Sequence, residues 1–305
     1  MITLNSDAAS TSLSKTTKTI LNEYGIKLNK NLGQNYLIDR NKRDQIIQFG
    51  NLTKDDVVLE IGPGIGTLTI ELAKRVKKVI AIEQDSNICQ ILENRLKKEN
   101  IDNVELINDD ALNVEFPKFD KIISNLPYQI SSPITFKFLN YDFQLAILMY
   151  QKEFASRMNG KVGSKDYSRL SAMLYFKCDV VLTGVSAESF IPKPKVDSTV
   201  VRLTPKLPEL NGQLKHLNIN EINEKDFKTY SKFVKALFQH RNKKVKNALI
   251  DSRHIIADLD KKEMKAKLNS IKQKKIEELL SERITNLTPE EILYLSIHLN
   301  SVLEK

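Results

Sequence analysis

The chain has 305 residues, of which 41% are hydrophobic and 28% are charged, a composition that excludes disordered, fibrous and collagen-like proteins. Two cysteines exclude a disulfide framework and a cysteine-based zinc site and favour a reducing, cytoplasmic location, and no run of about 18 apolar residues is present to span a membrane. The formal net charge of +9 favours a polyanionic partner, of which nucleic acid is the commonest.

The first part of the chain predicts alternating strands and helices. Residues 1–30 are poor in acids and rich in Ser, Thr and Lys, and we interpret them as a flexible N-terminal extension. Five apolar runs separated by helical spacers follow: Val57–Ile61, Lys78–Ile82, Val104–Ile107, Lys121–Ser124 and Leu145–Tyr150. This alternation predicts an α/β fold with a doubly wound, mostly parallel sheet.

The second part of the chain changes character. Val180–Val185 and Ser198–Leu203 are predicted strands that complete the sheet, and the proline-rich segment Pro205–Gly212 predicts a linker. From Phe227 onward apolar residues recur at three- and four-residue spacing, which indicates a small all-helical C-terminal domain. The predicted limits are residues 1–30 for the extension, 31–207 for the sheet domain and 208–305 for the helical domain.

A glycine-rich turn follows the first predicted strand. Gly62, Gly64 and Gly66 lack the Cβ atoms that would keep a ligand from the backbone. In the dinucleotide fingerprint the third glycine comes one position later, so NAD is disfavoured. Glu83 ends the second strand, where its carboxylate could accept hydrogen bonds from a ribose, and Asp110 after the third strand could accept from an adenine amine. An adenosine cofactor is predicted; the alternative is a turn without a ligand, a solvated Glu83 and a helix-capping Asp110.

The tetrapeptide Asn125, Leu126, Pro127 and Tyr128 follows the fourth predicted strand, at the sheet edge beside the expected cofactor. An adenine amine is a poor nucleophile because its lone pair is delocalised into the ring. Hydrogen bonds from its two N–H groups to the Asn125 side-chain oxygen and the Leu126 carbonyl would aim that lone pair at an electrophile. Pro127 fixes the backbone and Tyr128 can stack on the base. The alternative is an ordinary turn with a core tyrosine; with the glycine turn, the tetrapeptide favours methyl transfer to an exocyclic amine.

Four segments in order resemble the KsgA-type ribosomal RNA adenine dimethyltransferases. They are Asn31–Leu37 (NLGQNYL), Glu60–Gly66 (EIGPGIG), Asn125–Tyr128 (NLPY) and Phe190–Ser198 (FIPKPKVDS). The resemblance implies a Rossmann-like S-adenosylmethionine domain followed by a small helical RNA-binding domain. It further implies dimethylation of N6 on two adjacent adenosines in a hairpin near the 3′ end of small-subunit rRNA, within a pre-30S-type particle, as a step of ribosome biogenesis.

The same resemblance assigns residues to the site. The implied cofactor contacts are Asn35, Leu37, Gly62, Gly64, Glu83, Asp110 and Asn125. The implied catalytic residues are Asn125, Leu126, Pro127, Tyr128 and Phe190. Phe190 would cover the face of an everted adenine opposite Tyr128, and the alternative for Phe190 is a core-anchoring aromatic. Attack by N6 is an in-line displacement assisted mainly by orientation, so neither a histidine base nor a metal is expected.

Basic residues in the helical region predict RNA binding. The candidates are Lys232, Lys235, Arg241, Lys243, Lys244 and Lys246, and in the proline-rich loop Lys193 and Lys195. Lys161, Lys165 and Arg169 could extend this surface to the pocket. A charge run is often only a solvated helix face, but next to a base-modifying site it favours RNA. If six phosphates were neutralised, the log–log salt slope of binding would be about −4 to −5.

Three other functions stay open on the sequence. One is an adenine-N6 methyltransferase of the same architecture that acts on large-subunit rRNA or on DNA. Another is a non-catalytic RNA-binding assembly factor that keeps the fold, and the third is an NAD-dependent oxidoreductase. Nothing in the sequence suggests an obligate dimer, so a monomer is expected.

Overall fold

The computed structural model of the chain describes residues 12–26, 35–206 and 223–303. Two compact units are present. We call residues 1–155 with 181–205 the sheet unit, and residues 156–180 with 206–305 the helical unit. Most of the predicted linker, and residues 31–34 of the first motif, lie outside the described residues.

Nine strands lie in the described residues. They are β1 (Tyr36–Leu37), β2 (Val57–Ile61), β3 (Lys78–Glu83), β4 (Val104–Asn108), β5 (Lys121–Asn125), β6 (Leu145–Gln151), β7 (Cys178–Val185), β8 (Phe190–Ile191) and β9 (Ser198–Pro205). Seven of them form one sheet in the order β4–β3–β2–β5–β6–β9–β7. From β4 to β6 neighbouring strands are parallel, whereas β9 is antiparallel to β6. The predicted mostly parallel sheet is confirmed, and its strand order reverses between β2 and β5, where open α/β sheets bind ligands.

The helices of the sheet unit follow the strands. They are α1 (Leu13–Glu23), α2 (Arg40–Phe49), α3 (Thr69–Ala73), α4 (Ser86–Lys98), α5 (Ser131–Phe138) and α6 (Lys152–Ser156), the last ending one residue beyond the unit. The central strands are apolar and buried, as expected for parallel strands covered on both faces. Asp85 caps the N-terminus of α4, and its carboxylate accepts hydrogen bonds from the backbone N–H groups of Asn87 and Ile88.

Two features of the sheet unit differ from the sequence prediction. The predicted flexible extension is wrong over residues 13–23, because this segment is the α1 helix and its Ile20 and Leu21 pack against Tyr36. The strands β1 and β8, which the sequence did not predict, pair antiparallel and place Leu37 opposite Phe190. Strands of two residues are too short to show a periodic pattern.

The helical unit contains α7 (Arg169–Lys177), α8 (Glu224–Phe238), α9 (Val245–Asp251), α10 (Arg253–Ile256), α11 (Lys261–Ser270), α12 (Lys274–Ser281) and α13 (Pro289–Leu303). The C-terminal helical region is therefore confirmed. Residues 156–180 fall in this unit and not in the sheet unit. Here the Tyr230 hydroxyl on α8 donates to the Ala172 carbonyl on α7 (2.8 Å), and the Tyr230 ring packs edge-on against Phe176. Among the residues that the structure describes, none of the helices could span a lipid bilayer.

Candidate active site

A cavity of about 310 Å³ opens at the carboxyl edge of the sheet, within the size range of small-molecule sites. Among its lining residues are nine of those predicted from sequence: Asn35, Leu37, Gly62, Gly64, Glu83, Asp110, Asn125, Leu126 and Pro127. They come from segments far apart in the chain. The sheet brings them together because the ends of parallel strands meet at one edge.

The glycine turn packs directly under the tetrapeptide. Gly62 and Gly64 have φ of +67° and +56°, in the left-handed region that favours glycine. A Cβ atom on Gly62 would lie 3.0 Å from Pro127, and one on Gly64 would lie 3.1 Å from the Tyr36 ring. Both positions therefore need glycine for conformation and for space. The turn and Pro127 form one wall of the cavity.

The backbone of this turn is already engaged within the protein. The Gly62 N–H donates to the Ile82 carbonyl (2.9 Å), and the Gly64 N–H donates to Oε2 of Glu83 (3.2 Å). Phosphate-binding turns instead keep such N–H groups free to point at the anion. These two amides are thus unavailable to a pyrophosphate, which agrees with the prediction against NAD.

The cavity is strongly acidic. Its carboxyl groups are those of Glu60, Glu83, Asp85, Asp109 and Asp110, and no Lys, Arg or His belongs to its described lining. Such a surface attracts cations and repels phosphates. S-adenosylmethionine carries a sulfonium and an ammonium group, so it fits this donor set, whereas a dinucleotide does not.

Glu83 is held in place by the backbone. Its two oxygens accept hydrogen bonds from the N–H groups of Gly64 (3.2 Å) and Asp85 (3.1 Å). Burial raises the pKa of the Glu83 carboxyl, while the hydrogen bonds from Asp85 and Gly64 oppose the rise. Because each carboxylate oxygen can accept two hydrogen bonds, Glu83 keeps acceptor capacity for the two hydroxyls of a ribose.

Asp110 lines the cavity and also shapes the loop after β4. Its Oδ1 accepts a hydrogen bond from the Leu112 N–H (2.9 Å). The capping alternative and the cofactor prediction are therefore compatible, since the side chain stabilises a turn while facing the cavity.

Glu60 is a cavity residue to which the sequence analysis assigned no role. It is 1% exposed and its Oε2 has no hydrogen-bond partner. Burial raises the pKa of this carboxyl to about 8, and the nearby charge of Glu83 assists the rise. In the protein alone Glu60 is therefore largely protonated at pH 7. A single acid inside the apolar run VVLEI was the available signal.

The tetrapeptide presents two free acceptors. Asn125 ends β5, and its Nδ2 donates to the Asn35 carbonyl (2.9 Å). That contact leaves Oδ1 of Asn125 as the acceptor end of the amide. Within the described residues, neither Oδ1 nor the Leu126 carbonyl accepts a hydrogen bond. The two acceptors that the sequence analysis required are thus both available.

Tyr128 and Phe190 are not among the residues that line the cavity. Tyr128 is half-buried, and its hydroxyl lies 2.6 Å from Oγ of Ser198. Phe190 is 2% exposed and packs in the core of the sheet unit with Leu37 and Ile147. In this conformation Phe190 cannot offer a ring face to a base, because the core covers it. The structure thus matches the alternative of a core-anchoring aromatic.

The predicted RNA-binding residues fall into two groups. Some have partners inside the protein: Arg241 with the carbonyls of Ser164 and Lys165, Lys243 with Asp251, Lys246 with Asn269 and Lys193 with Glu188. The others, Lys195, Lys232, Lys235 and Lys244, are exposed and make no side-chain hydrogen bond or ion pair with the described residues. RNA binding by both groups stays a prediction. The partnered group contains structural contacts that a charge pattern does not reveal.

Comparison with known proteins places the chain in a family. It matches the family described as ribosomal RNA adenine dimethylase over residues 25–286. It is 48% identical over 282 residues to a probable ribosomal RNA small subunit methyltransferase A of Methanosphaera stadtmanae, covering 92% of this chain and 97% of that protein. A protein of the same description from Methanothermobacter thermautotrophicus is 43% identical over 288 residues, covering 94% of this chain and 96% of that protein.

Solved structures agree. The fold is similar to a dimethyladenosine transferase from Plasmodium falciparum, with a TM-score of 0.69 and 30% identity over 87% of this chain and 98% of that one. It is also similar to the 23S rRNA methyltransferase ErmE, with a TM-score of 0.57 and 25% identity over 88% of this chain and 100% of that one. The predicted resemblance is confirmed, and with it the class of enzyme and its S-adenosylmethionine cofactor. The chain belongs to the ribosomal RNA adenine dimethylase family.

Proposed function

We propose that the protein transfers methyl groups from S-adenosylmethionine to N6 of two adjacent adenosines in a hairpin near the 3′ end of small-subunit rRNA, giving N6,N6-dimethyladenosine. Its relatives named as small subunit methyltransferases support this substrate. The proposed partner is a pre-30S-type particle in the cytoplasm. We propose that the protein binds this particle as a monomer and uses no metal ion. Among the described residues no group of three or more His, Cys, Asp or Glu side chains is placed to hold a metal ion.

One observation carries the proposal: two unpaired acceptors lie in an acidic cavity that suits a cationic cofactor. The acceptors are Oδ1 of Asn125 and the carbonyl of Leu126, and both residues line the cavity. An adenine amine has two N–H groups and therefore matches two acceptors. In the first transfer, a hydroxyl or a thiol in place of this amine would leave one acceptor unpaired, which costs free energy in a buried site.

The residues of the chain supply orientation. The Asn35 carbonyl fixes the amide of Asn125, so that its Oδ1 can accept from N6 without first rotating. The Leu126 carbonyl holds the second N6 hydrogen, and Pro127 keeps that carbonyl in place by packing on Gly62. When bound, S-adenosylmethionine supplies a methyl group made electrophilic by the adjacent sulfonium.

The acids of the cavity bind and orient the cofactor. Glu83 would accept from the ribose hydroxyls and Asp110 from the adenine amine of the cofactor, as the sequence analysis proposed. Their negative charges favour the cationic form of the cofactor over the neutral product that forms after methyl transfer. The Tyr128 ring, fixed through Ser198, is then the candidate to stack on the target base.

The test is methylation of ribosomal particles isolated from cells that lack this protein. Small-subunit particles, large-subunit particles and DNA are each incubated with the protein and isotopically labelled S-adenosylmethionine, and the label is located by mass spectrometry of RNA fragments. We expect dimethyladenosine at two adjacent positions near the 3′ end of the small-subunit rRNA. Label confined to the large subunit or to DNA would refute the substrate assignment.

Two controls separate the remaining alternatives. Asn125→Ala should bind the particle but transfer methyl groups far more slowly than the wild type, whereas a non-catalytic assembly factor would show no transfer even with the wild-type protein. Similarity to the 23S rRNA methyltransferase ErmE makes the large-subunit arm a necessary comparison. Calorimetry with NAD and with S-adenosylmethionine addresses the oxidoreductase alternative, for which binding of NAD alone would be required.

A further inference from the structure

A tight turn in the helical unit projects two lysines. Residues 160–168 form a loop before α7, and in it the Ser164 N–H donates to the Lys161 carbonyl (3.0 Å). Gly163, the third residue of this turn, has φ of +79°. That value at the third position is typical of a type II turn, which requires a glycine there.

The base of the loop is closed by close packing. A Cβ atom on Gly160 would lie 2.3 Å from the Asp166 carbonyl oxygen, so the two ends of the loop touch and only glycine fits. The next residue, Tyr167, is buried, and its hydroxyl donates to the Leu287 carbonyl (2.8 Å). The loop is therefore anchored where it starts and where it ends.

The tip of the loop is anchored as well. The Gly163 N–H donates to the Thr285 carbonyl (2.8 Å). Nη2 of Arg241 donates to the carbonyls of Ser164 (2.9 Å) and Lys165 (2.8 Å). Hydrogen bonds from a charged donor are stronger than those between neutral groups, so the guanidinium acts as a clamp on two consecutive peptides.

Arg241 is accordingly a poor candidate for a phosphate contact. Both hydrogens of its Nη2 are taken by backbone carbonyls, and its Nε is buried without a hydrogen-bond partner. A bidentate arginine–phosphate contact uses two N–H groups on one edge of the guanidinium. Because Nη2 already has two partners and Nε is buried, the edge formed by these two nitrogens is not available to a phosphate.

Unlike the guanidinium of Arg241, the lysine side chains on the turn are available to a partner. Lys161 and Lys165 are exposed and have no side-chain hydrogen bond or ion pair among the described residues. Val162 between them is 39% exposed. An ordered backbone that carries two free ammonium groups loses little chain entropy when it binds a partner.

Two further loops border this turn. An isolated β-bridge joins Lys244 to Arg283, and Nη1 of Arg283 donates to the Asn242 carbonyl (2.9 Å). Since Thr285 contacts the turn and Arg241 clamps it, the three segments are continuous. We call residues 161–166, 241–245 and 282–285 the three-loop surface.

The charge of the three-loop surface identifies its partner class. The surface contains six basic and two acidic residues. Positions set by backbone hydrogen bonds suit the regular spacing of a phosphate backbone, which positions a protein on RNA without reading its sequence. An acidic protein would offer no such regular spacing.

We propose that the turn at residues 161–165 contacts phosphates of the substrate RNA through Lys161 and Lys165, and that Arg241 is a positioning residue which holds this turn. The proposal rests on the proposed function, because it takes ribosomal RNA as the substrate. It reverses the role that the charge pattern assigns to Arg241, and it adds a contact element from outside the basic run.

The first test compares two charge-matched lysine pairs. The double variant Lys161→Ala/Lys165→Ala removes the turn lysines, and Lys262→Ala/Lys265→Ala removes two exposed lysines of α11. Binding to unmethylated small-subunit particles is measured over a range of KCl at fixed Mg²⁺. We expect the turn pair to weaken binding about 25-fold at 0.1 M salt and to make the log–log slope less negative by about 1.4. We expect less than a threefold change for the α11 pair, and equal effects of the two pairs would overturn the proposal.

The second test separates positioning from direct contact. Arg241→Lys keeps the charge but cannot bond two carbonyls in the geometry of Nη2. We expect it to weaken binding by tenfold or more, and to have less than a twofold further effect in the Lys161→Ala/Lys165→Ala background. Binding like that of the wild type, or full additivity with the lysine pair, would instead show a direct phosphate contact and overturn the role of Arg241.

A third variant tests the order of the turn without changing Arg241, in case the Arg241 variant does not fold. Gly163→Ala keeps every charge, and its Cβ would meet no atom within 4 Å, so only the positive φ is disfavoured. If the turn must be ordered, this variant weakens binding to the particle while calorimetric binding of S-adenosylmethionine stays within twofold of the wild type. Unchanged particle binding would count against the proposal.

Failure of the proposed function has a different signature. If the wild-type protein neither binds nor methylates small-subunit particles, the substrate assignment falls. If the wild type methylates them and the turn pair behaves like the α11 pair, only the present proposal falls.

Discussion

The sheet unit and the helical unit hold their functional groups in different ways. In the cavity of the sheet unit, backbone contacts fix two of the side chains: Glu83 accepts from two N–H groups, and Asn125 donates to the Asn35 carbonyl. In the helical unit, the predicted RNA-binding lysines Lys232 and Lys235 are exposed and free of such contacts. Chemistry at a single nitrogen requires fixed acceptors, whereas Lys232 and Lys235 can attract a polyanion without a fixed position.

This difference sets the size of the expected effects. Removing one oriented acceptor from a cavity affects the transition state directly and cannot be replaced by a neighbour. Removing one exposed lysine deletes one counterion-release contribution among several. Substitution of an oriented acceptor in the cavity should therefore have a large effect on the reaction, and substitution of a single exposed lysine of α8 should have a small, salt-dependent effect on binding.

The largest effect is expected for Asn125→Ala. The loss of Oδ1 leaves one N6 hydrogen unpaired and frees the nitrogen to rotate, so the single-turnover rate of methyl transfer should fall about 100- to 1,000-fold. Binding of S-adenosylmethionine, measured by calorimetry, should weaken less than tenfold. The matched control is Asn140→Ala, an exposed asparagine outside the cavity. If Asn125→Ala transferred methyl groups at a rate within threefold of the wild type, the tetrapeptide would have no role in the mechanism.

The substitution Glu60→Gln tests whether the buried Glu60 carboxyl is protonated, through its effect on the free energy of unfolding. Burial raises the pKa of Glu60 to about 8 in the folded protein, against roughly 4.3 in an unfolded chain. Between these values the folded state binds more protons, so the free energy of unfolding falls as the pH rises from about 5 to 8 and levels off above. The variant cannot titrate and should lack this loss, which is on the order of a few kcal/mol.

The measurement is urea unfolding of the cofactor-free protein at pH values from 5 to 9. The informative quantity is the difference between the wild type and Glu60→Gln, because all other groups cancel in it. Glu93→Gln, at an exposed position of α4, should follow the wild-type curve. A difference that does not change with pH would mean that Glu60 is ionised in the folded state.

Glu83→Gln should act on cofactor binding. A carboxamide turns an NH₂ group towards one of the two N–H donors and loses the charge that attracts a cationic ligand. We expect the Kd for S-adenosylmethionine to rise about 10- to 100-fold, with the rate at saturating cofactor within a few-fold of the wild type. Calorimetry and single-turnover assays separate the two quantities. A fall in the saturated rate at unchanged Kd would place Glu83 in the chemical step instead.

Sequence reasoning succeeded where a general rule of the fold applies. Glu83, Asp110 and Asn125 follow strands, and the ends of parallel strands meet at one edge, so their meeting in one cavity was predictable. Asn35 and Leu37 lie outside that rule, and only the family resemblance pointed to them.

Sequence reasoning did not reveal contacts between segments that lie far apart in the chain. Arg241 looks like part of a basic run, but its partners are carbonyls more than seventy residues earlier in the chain. Phe190 is buried because β8 pairs with β1, and two-residue strands leave no pattern. The α1 helix forms because Ile20 and Leu21 find an apolar surface that the local sequence does not contain.

Ser198→Ala should have a moderate effect. The Ser198 hydroxyl lies 2.6 Å from that of Tyr128, so its loss frees the ring that is proposed to stack on the target base. We expect the methyl-transfer rate to fall about fivefold, which corresponds to the roughly 1 kcal/mol of one hydrogen bond, with cofactor binding unchanged. Ser198→Thr should restore the rate. The control is Thr135→Val, which removes the similar contact with Tyr150 and should lower the stability of the protein without changing the methyl-transfer rate. Equal methyl-transfer rates for Ser198→Ala and the wild type would exclude a role of Ser198 in positioning Tyr128.

An effect of similar size, but on binding and dependent on salt, is expected for Lys235→Ala on the exposed face of α8. If Lys235 contacts one phosphate, binding to small-subunit particles should weaken about fivefold at 0.1 M salt, and the log–log slope should become less negative by about 0.7. Lys225→Ala, an exposed lysine in the first turn of the same helix, is the matched control and should leave both quantities unchanged. A loss of methyl transfer far beyond the loss of binding would mean that Lys235 orients the substrate as Asn125 does. The difference between the cavity residues and the exposed lysines would then not hold for Lys235, because this lysine would depend on its exact position and not only on its charge.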